Sequence, residues 1–256
     1  MTLTLVPPVA SRPRHVCILG LGPSVEAYMD LTRRLGGRKR LADETWAINA
    51  LGDVFACDRV FHMDDVRIQE VRVAASPKSN IGVMLEWMKT HPGPIYTSRP
   101  HPAYPGLVQY PLEAVMNDLG TAYFNGTAAY AVALAIHEKA EIISLFGIDF
   151  TYPNAHHAEK GRACVEFWLG VAMARGIEVR IAERSSLLDM CEGQPLYGFG
   201  AMGSLDVQIE EAPAGDGQVT AKITFVEREG LPTAAEIEAA YDHSKHPSPL
   251  VSGAAA

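Results

Sequence analysis

The sequence predicts an α/β protein with a doubly wound, mainly parallel sheet, and three observations predict it. Short apolar runs recur as far as about Asp189, segments of helical periodicity separate them, and the runs end in glycine or polar residues without alternating apolar and polar positions. Strands buried on both faces read as such continuous runs, and parallel neighbours need a crossover helix between them. In sheets of this kind ligands gather beyond the carboxyl ends of the strands.

The run His15-Val-Cys-Ile-Leu-Gly20 is the first strand, and a helical pattern follows from about Val25 to Leu35. Further strands are expected at Thr45 to Ala50 and at Arg59 to His62, the latter just before Met63-Asp64-Asp65. A helix around Ile81 to Lys89 precedes a strand at Pro94 to Ser98, bounded by Pro92-Gly93 and by the turn-rich Arg99 to Gly106. The clearest unit comes next. Asn125-Gly126-Thr127 leads into a helix over Ala128 to Lys139, with Thr127 as the expected N-cap, and the apolar strand Glu141 to Gly147 brings the chain to Asp149. A helix from about Glu159 to Arg175 stops at Gly176 and feeds a strand over Ile177 to Ala182. Gly20, Asn49, Asp64, Thr97 and Asp149 all fall at expected strand ends, so one rim can collect them. Trp46, Trp87 and Trp168 lie inside regular elements and read as core.

Beyond about Asp189, Leu205 to Glu210 and Val219 to Val226 alternate like two half-exposed strands around the turn Pro213 to Gly217. A short helix at Thr233 to Tyr241 and a small-residue tail follow. The expected organisation is therefore an arm over 1–14, a Rossmann-like nucleotide-binding domain over 15–190, a β-hairpin and helix over 191–242, and a disordered tail over 243–256. An exposed hairpin edge also offers a route to a homo-oligomer.

With 256 residues, 48% hydrophobic and 20% charged, the chain can bury a substantial core. A net charge of −8 argues against a broad nucleic-acid footprint, and the basic cluster Arg33, Arg34, Arg38, Lys39 and Arg40 reads as a solvated helix end and loop. Cys17, Cys57, Cys164 and Cys191 have neither metal-ligand spacing nor the density of a disulfide framework, and are expected to be reduced. No signal-peptide pattern and no apolar span of about 20 residues is found, so a cytoplasmic protein without a membrane span is expected.

The turn Gly20-Leu21-Gly22-Pro23-Ser24 joins the first strand to the first helix, where glycine allows a sharp turn or a close approach to a ligand, and helix amides favour an anion. Val25 occupies the third glycine position of a dinucleotide fingerprint, which disfavours ordinary NAD binding. Ser24 could equally cap the helix. The segment Thr97, Ser98 and Arg99 offers substrate-binding groups, Arg99 as a partner for phosphate or carboxylate.

Taken in order, Gly20-x-Gly-Pro-Ser24, Asn49, Gly126-Thr127 and Gly147-Ile148-Asp149-Phe150 resemble the bacterial sialyltransferase-like family that uses CMP-activated sugars, and equally the motility-accessory-factor and hydroxymethylpterin-pyrophosphokinase-like proteins. The resemblance spans about Val16 to Leu188 and continues through Tyr152 and the pair His156-His157. It implies a nucleotide-dependent transferase, foremost a glycosyltransferase with a small-molecule nucleotide donor and no required cofactor. Gly20, Gly22, Pro23, Ser24, Asn49, Gly126, Thr127, Gly147, Ile148, Phe150 and Tyr152 become donor-site candidates. His156 or His157 becomes the general base, an imidazole being able to take an acceptor hydroxyl's proton near neutral pH. Asp149 could orient that imidazole, position a ribose hydroxyl or tie down a turn. Two departures from the sialyltransferase pattern, Leu21 between the glycines and Met63-Asp64-Asp65 in place of an asparagine, keep alternatives open. Asp64 and Asp65 could hold Mg²⁺ in an ATP-dependent pyrophosphokinase-like enzyme, and a nucleotide-binding module without catalysis would retain the glycine turn alone.

Overall fold

The computed structural model describes residues 14–76, 80–151, 154–190, 205–214 and 218–227, with 233–235 and 239 in addition. The chain divides into two compact units, Met1–Glu192 and Gly193–Ala256. The first unit runs β1 (His15–Leu19), α1 (Val25–Leu35), α2 (Arg38–Leu41), β2 (Glu44–Ile48), α3 (Leu51–Val54), β3 (Arg59–Phe61), α4 (Val66–Ala75) and α5 (Ile81–Thr90). It continues with β4 (Ile95–Thr97), β5 (Leu107–Gln109), α6 (Leu112–Leu119), α7 (Thr127–His137), β6 (Ile142–Phe146), α8 (Ala155–Ala174), β7 (Glu178–Ile181) and a short 3-10 turn at Leu187–Asp189. In the second unit β8 (Leu205–Ala214) and β9 (Gln218–Glu227) form an antiparallel hairpin.

Seven parallel strands form one sheet in the order β5-β4-β3-β2-β1-β6-β7. From β1 the chain builds outward through β2 to β5, then returns along α7 to lay β6 on the other side of β1. The reversal opens a crevice between the carboxyl ends of β1 and β6, where open α/β sheets place their ligands. Register makes that crevice level: Leu19 pairs with Ala47 on one side and Phe146 on the other.

β1 shows why the sheet needs helices on both faces. Cys17 and Leu19 pack with Tyr28 of α1, whereas Val16 and Ile18 pack with α7 and Trp168 of α8. α7 lies close to the sheet because five of its buried residues are alanine or valine: Ala129, Ala131, Val132, Ala133 and Ala135. Small side chains let the helix backbone approach, and larger buried neighbours such as Leu134, Ile143 and Trp168 pack around it. Burial pushes the Cys17 thiol up to about 12 and the Cys57 thiol up to about 11, so both are inert thiols at neutral pH. No helix of the described residues is long and apolar enough to cross a membrane.

The amino ends of the strands are tied by charge. Arg14 meets Glu44 and Glu138 at 2.8 Å each, Arg59 bridges the same two carboxylates, and Trp46 Nε1 donates to Glu44 at 2.8 Å. The Arg59 guanidinium also lies 4.7 Å over the Trp46 ring. Arg14 thus belongs to the folded unit and not to an arm.

Several sequence expectations shift. α8 begins four residues before the expected Glu159, because Asn154 caps it by accepting from the His157 amide at 3.1 Å. Thr127 is the first helical residue of α7, with Gly126 in the cap position. α4, β5 and α6 were not expected. In α4 the apolar Ile68 and Val71 are 62% and 70% exposed, so its pattern has no clean core stripe. β5 is three residues long, too short to stand out beside the turn that precedes it. Of the helix expected at Thr233 to Tyr241, Ala234, Ala235 and Ala239 are helical, while Cys191 and the tail from His243 lie outside the described residues.

The four-charge cluster has a pH signature. Burial by itself would raise the Glu44 and Glu138 carboxyls, but bonds from Trp46, Arg14 and Arg59 hold both below their ordinary value. Stabilisation from groups so depressed is full above the unfolded pKa of about 4.3 and drains away as pH falls through the folded values. Urea midpoints are expected to be flat near pH 7 and to fall below about pH 4.3. Glu138→Gln is expected to lower stability at pH 7 by about 1–2 kcal/mol and to flatten the acid limb; an unchanged limb would remove this cluster as its source.

Candidate functional site

The floor of the crevice is a backbone clasp. Past β1, the Gly20 amide donates to Phe146 O at 2.8 Å and the Gly22 amide to Gly147 O at 2.7 Å. The Ser24 amide donates to Asp149 Oδ2 at 2.7 Å, the Ser24 hydroxyl donates to Asp149 Oδ1, and the Gly147 amide donates back to Ser24 Oγ at 2.7 Å. Ser24 is 1% exposed and Asp149 2%, so this carboxylate is buried with its donors supplied by the opposite strand end.

That closeness dictates glycine. A Cβ on Gly22 would lie 2.4 Å from Asp149 Oδ2, one on Gly20 2.4 Å from Gly147 O, and one on Gly147 2.0 Å from Gly20 O. Gly147 also sits at φ 69°, the left-handed region where L side chains are strained. These three glycines therefore serve chain-on-chain contact, and the free space they create lies above them. Ser24 occupies the cap position of α1 but gives no side-chain bond to that helix.

Above the clasp is a cavity of about 340 Å³. The first turn, Gly20–Pro23, forms one wall with Ile48 and Asn49; Gly147–Thr151 forms the second; Gly126–Ala128 and then Gly161 and Val165 of α8 complete it. Among the described residues the one charged side chain lining it, Asp149, is already bonded to Ser24. The start of α7 is the element suited to an anion: Gly126 is extended, no side chain caps the helix, and while the Ala129 amide donates to Gly126 O at 3.1 Å, the Thr127 and Ala128 amides ahead of it precede the intrahelical ladder. A Cβ on Gly126 would meet nothing within 4 Å. α8 holds that entrance in place: Trp168 Nε1 and Cys164 Sγ donate to Tyr123 O at 2.7 and 3.1 Å, and the Asn125 amide donates to Cys164 Sγ at 3.2 Å. At Gly161 a Cβ would come within 2.4 Å of the Phe150 ring, so glycine there lets Phe150, itself at φ 50°, lie against the helix.

A larger hollow of about 540 Å³ lies between α1 and β7 and contains Arg34, Arg180 and Arg184. Arg180 is paired with Glu178 and Arg184 with Glu26, both at the surface. The smaller cavity is favoured because it occupies the topological switch point and presents unpaired amides.

At the edge of this cavity Asn49 adopts φ 53°, its amide donates to Phe61 O at 2.9 Å, and its Oδ1 faces His62 Nδ1 at 3.0 Å. His62 is 2% exposed; burial pushes its imidazole below the ordinary value, the Asp64 charge acting weakly in the opposite sense. Sequence reasoning placed His62 only as a strand end. The available signal was a histidine at the carboxyl end of a strand, level with Asn49.

The structure brings together Gly20, Gly22, Pro23, Asn49, Gly126, Thr127, Gly147, Ile148, Asp149 and Phe150, with Ser24 beneath them. Leu21, Ile48, Ala128, Thr151, Gly161 and Val165 also line the cavity but were not assigned to it from sequence. Asp149 ties a turn, and its carboxylate is bonded to Ser24 and not to an imidazole. Thr97 is buried at the end of β4, Ser98 and Arg99 are exposed beyond it, and none of the three lines the cavity. Asp65 caps α4, accepting from the Arg67 amide at 3.0 Å and Nε at 2.9 Å, and the Arg67 guanidinium holds its carboxyl down at about 2. Asp64 is exposed, and among the described residues no three metal-ligating side chains converge. His156 and His157 are exposed in the first turn of α8, and Tyr152 lies outside the described residues.

No family model and no curated protein matches the chain. Among solved structures it is similar to the sialyltransferase CstII from Campylobacter jejuni in complex with the substrate analogue CMP-3FNeuAc, at 17% identity and a TM-score of 0.43, covering 69% of this chain and 84% of that one. It is also similar to the same enzyme with cytidine-5'-monophosphate, at 15% identity and a TM-score of 0.43, covering 88% and 97%.

Ser24→Ala strips a buried carboxylate of a donor and is expected to cost about 2–3 kcal/mol in urea unfolding. Gly22→Ala, forced against Asp149, is expected to cost about 1–3 kcal/mol. Gly126→Ala, in open space and extended backbone, should change stability by less than about 0.5 kcal/mol. Equal effects at Gly22 and Gly126 would contradict the clasp.

Proposed function

We propose that the chain is a nucleotide-dependent transferase, a glycosyltransferase that takes a sugar from a nucleotide-activated donor with His157 as general base. The observation that carries this reading is the convergence, at one switch-point cavity, of the Gly20–Ser24 turn, Asn49, the uncapped start of α7 and one face of α8. The order of these residues is also the order in which the sequence resembles CMP-sugar-using enzymes.

The donor's phosphate is assigned to the first-turn amides at Thr127 and Ala128, which supply positive potential without a cation. Departure of the sugar breaks its bond to a phosphate oxygen, and the electron pair leaves with the nucleotide. The acceptor's oxygen forms the new bond and must shed its proton, for which a neutral imidazole is suited. Helix geometry favours His157 for that task. Gly161 and Val165 line the cavity, and His157 lies four residues before Gly161 on the same face, whereas His156 is turned away by about 100°. Asp149 serves by holding the turn and leaves the proton to the histidine.

The ATP and Mg²⁺ alternative would need Asp64 and Asp65 at the phosphates. With Asp65 already bonded to its own helix and to Arg67, that donor set fits a capped helix better than a metal site.

A thermal-shift panel of CMP, CDP, UDP, GDP and ATP, each in EDTA and in Mg²⁺, tests the reading, since a ligand at 100 times its Kd stabilises by about 2.7 kcal/mol. Stabilisation by a cytidine nucleotide in EDTA is expected; stabilisation by ATP in Mg²⁺ alone would contradict it. His157→Ala is expected to slow donor turnover by about 10² to 10⁴ with nucleotide affinity retained, and His156→Ala to change it little. The opposite ranking would remove His157 as the base.

A further inference from the structure

Among the described residues, His62 Nε2 is the buried side-chain polar atom without a hydrogen-bond partner. The His62 backbone is held by its amide donating to Tyr96 O at 2.8 Å in the β3–β4 ladder, and the ring is held by Nδ1 meeting Asn49 Oδ1 at 3.0 Å. A neutral imidazole carries one proton, so one ring nitrogen donates and the other accepts. Asn49 Oδ1 has no hydrogen to give, which places the proton on Nδ1 and leaves a bare lone pair on Nε2. Reversing the Asn49 amide would move the proton to Nε2 and bury an N–H without an acceptor, the rarer kind of orphan in folded proteins.

We propose that His62 is a positioning residue that holds the Asn49 carbonyl inward and thereby turns the Asn49 NH₂ toward the cavity, so that the ligand atom opposite Asn49 is a hydrogen-bond acceptor, a phosphate or carbonyl oxygen of the nucleotide. Three observations support this beyond the bond itself. Asn49 lines the cavity, so the half of its amide not held by His62 has that space to face. Its backbone is held left-handed, an arrangement that asparagine tolerates better than most residues and that here swings the side chain off the strand end. The start of α7 already presents donors to the same cavity, so an acceptor-rich ligand would meet donors from two walls. The neutral ring that this needs is the form that burial favours.

This inference rests on the proposed function only for the identity of the ligand, and the test separates the two. In the ligand-free full chain, ¹⁵N NMR of the His62 ring is expected to show the Nδ1–H form; an Nε2–H form would overturn the positioning role whether or not any nucleotide binds. For binding, CMP is titrated calorimetrically against two variants. His62→Asn places an amide N–H where Nδ1 stood and is expected to keep CMP affinity within about threefold, whereas His62→Gln carries its amide toward the Nε2 position and is expected to weaken CMP about tenfold. A role confined to packing would weaken both alike, and that result would overturn the proposal. Asn49→Asp, which replaces the NH₂ by an oxygen, is expected to bind CMP more weakly than Asn49→Ala; equal or tighter binding would overturn the acceptor assignment. If the unaltered chain binds no nucleotide, the proposed function fails, and the ring tautomer still decides the positioning.

Discussion

The buried bond set between Ser24 and Asp149 is the contact on which the rest of the site depends. A carboxylate at 2% exposure is tolerable only where donors surround it, and the first turn supplies the Ser24 amide and hydroxyl. Because Ser24 Oγ also accepts from the Gly147 amide, the β1 and β6 ends are drawn to within backbone contact. Glycine at 20, 22 and 147 follows from that distance. The cavity lies directly against this clasp, with Gly20, Gly22, Gly147 and Asp149 among its lining residues.

The two ends of the sheet do different work. At the amino ends, Arg14, Arg59, Glu44 and Glu138 lace four segments together around Trp46, and every charge there has an opposite partner. At the carboxyl ends, Asp149 is the charged residue lining the cavity among the described residues, and polar groups border it: the first amides of α7 and Asn49. The aromatic layer Phe124, Tyr130 and Trp168 connects the two ends, setting the depth of α7 and hence the place of its first turn.

Much of this architecture was legible because the signals were local. Apolar runs such as Ile142–Phe146 stand between glycine and polar residues, and α1 has the periodicity and the Gly36 stop of an ordinary surface helix. Elements that lacked such signals escaped notice, as α4 did with Ile68 and Val71 facing water. Site residues were legible to the extent that a strand end announces them: Gly20, Asn49 and Asp149 reach the rim for that reason. What a residue does there was less legible, since it depends on partners distant in sequence. Nothing near Gly22 in the chain signals that Asp149 lies against it, and nothing near His62 signals that Asn49 completes its ring. Gly161 and Val165 read as ordinary helix interior until α8 is seen to close the cavity.

The proposed function puts an anionic nucleotide at the switch point, against the start of α7. Backbone amide NMR of the full chain titrated with CMP in EDTA tests it most directly. The largest shifts are expected at Gly22, Asn49, Thr127 and Ala128. Shifts centred instead on Arg34, Arg180 and Arg184, in the hollow between α1 and β7, would contradict it.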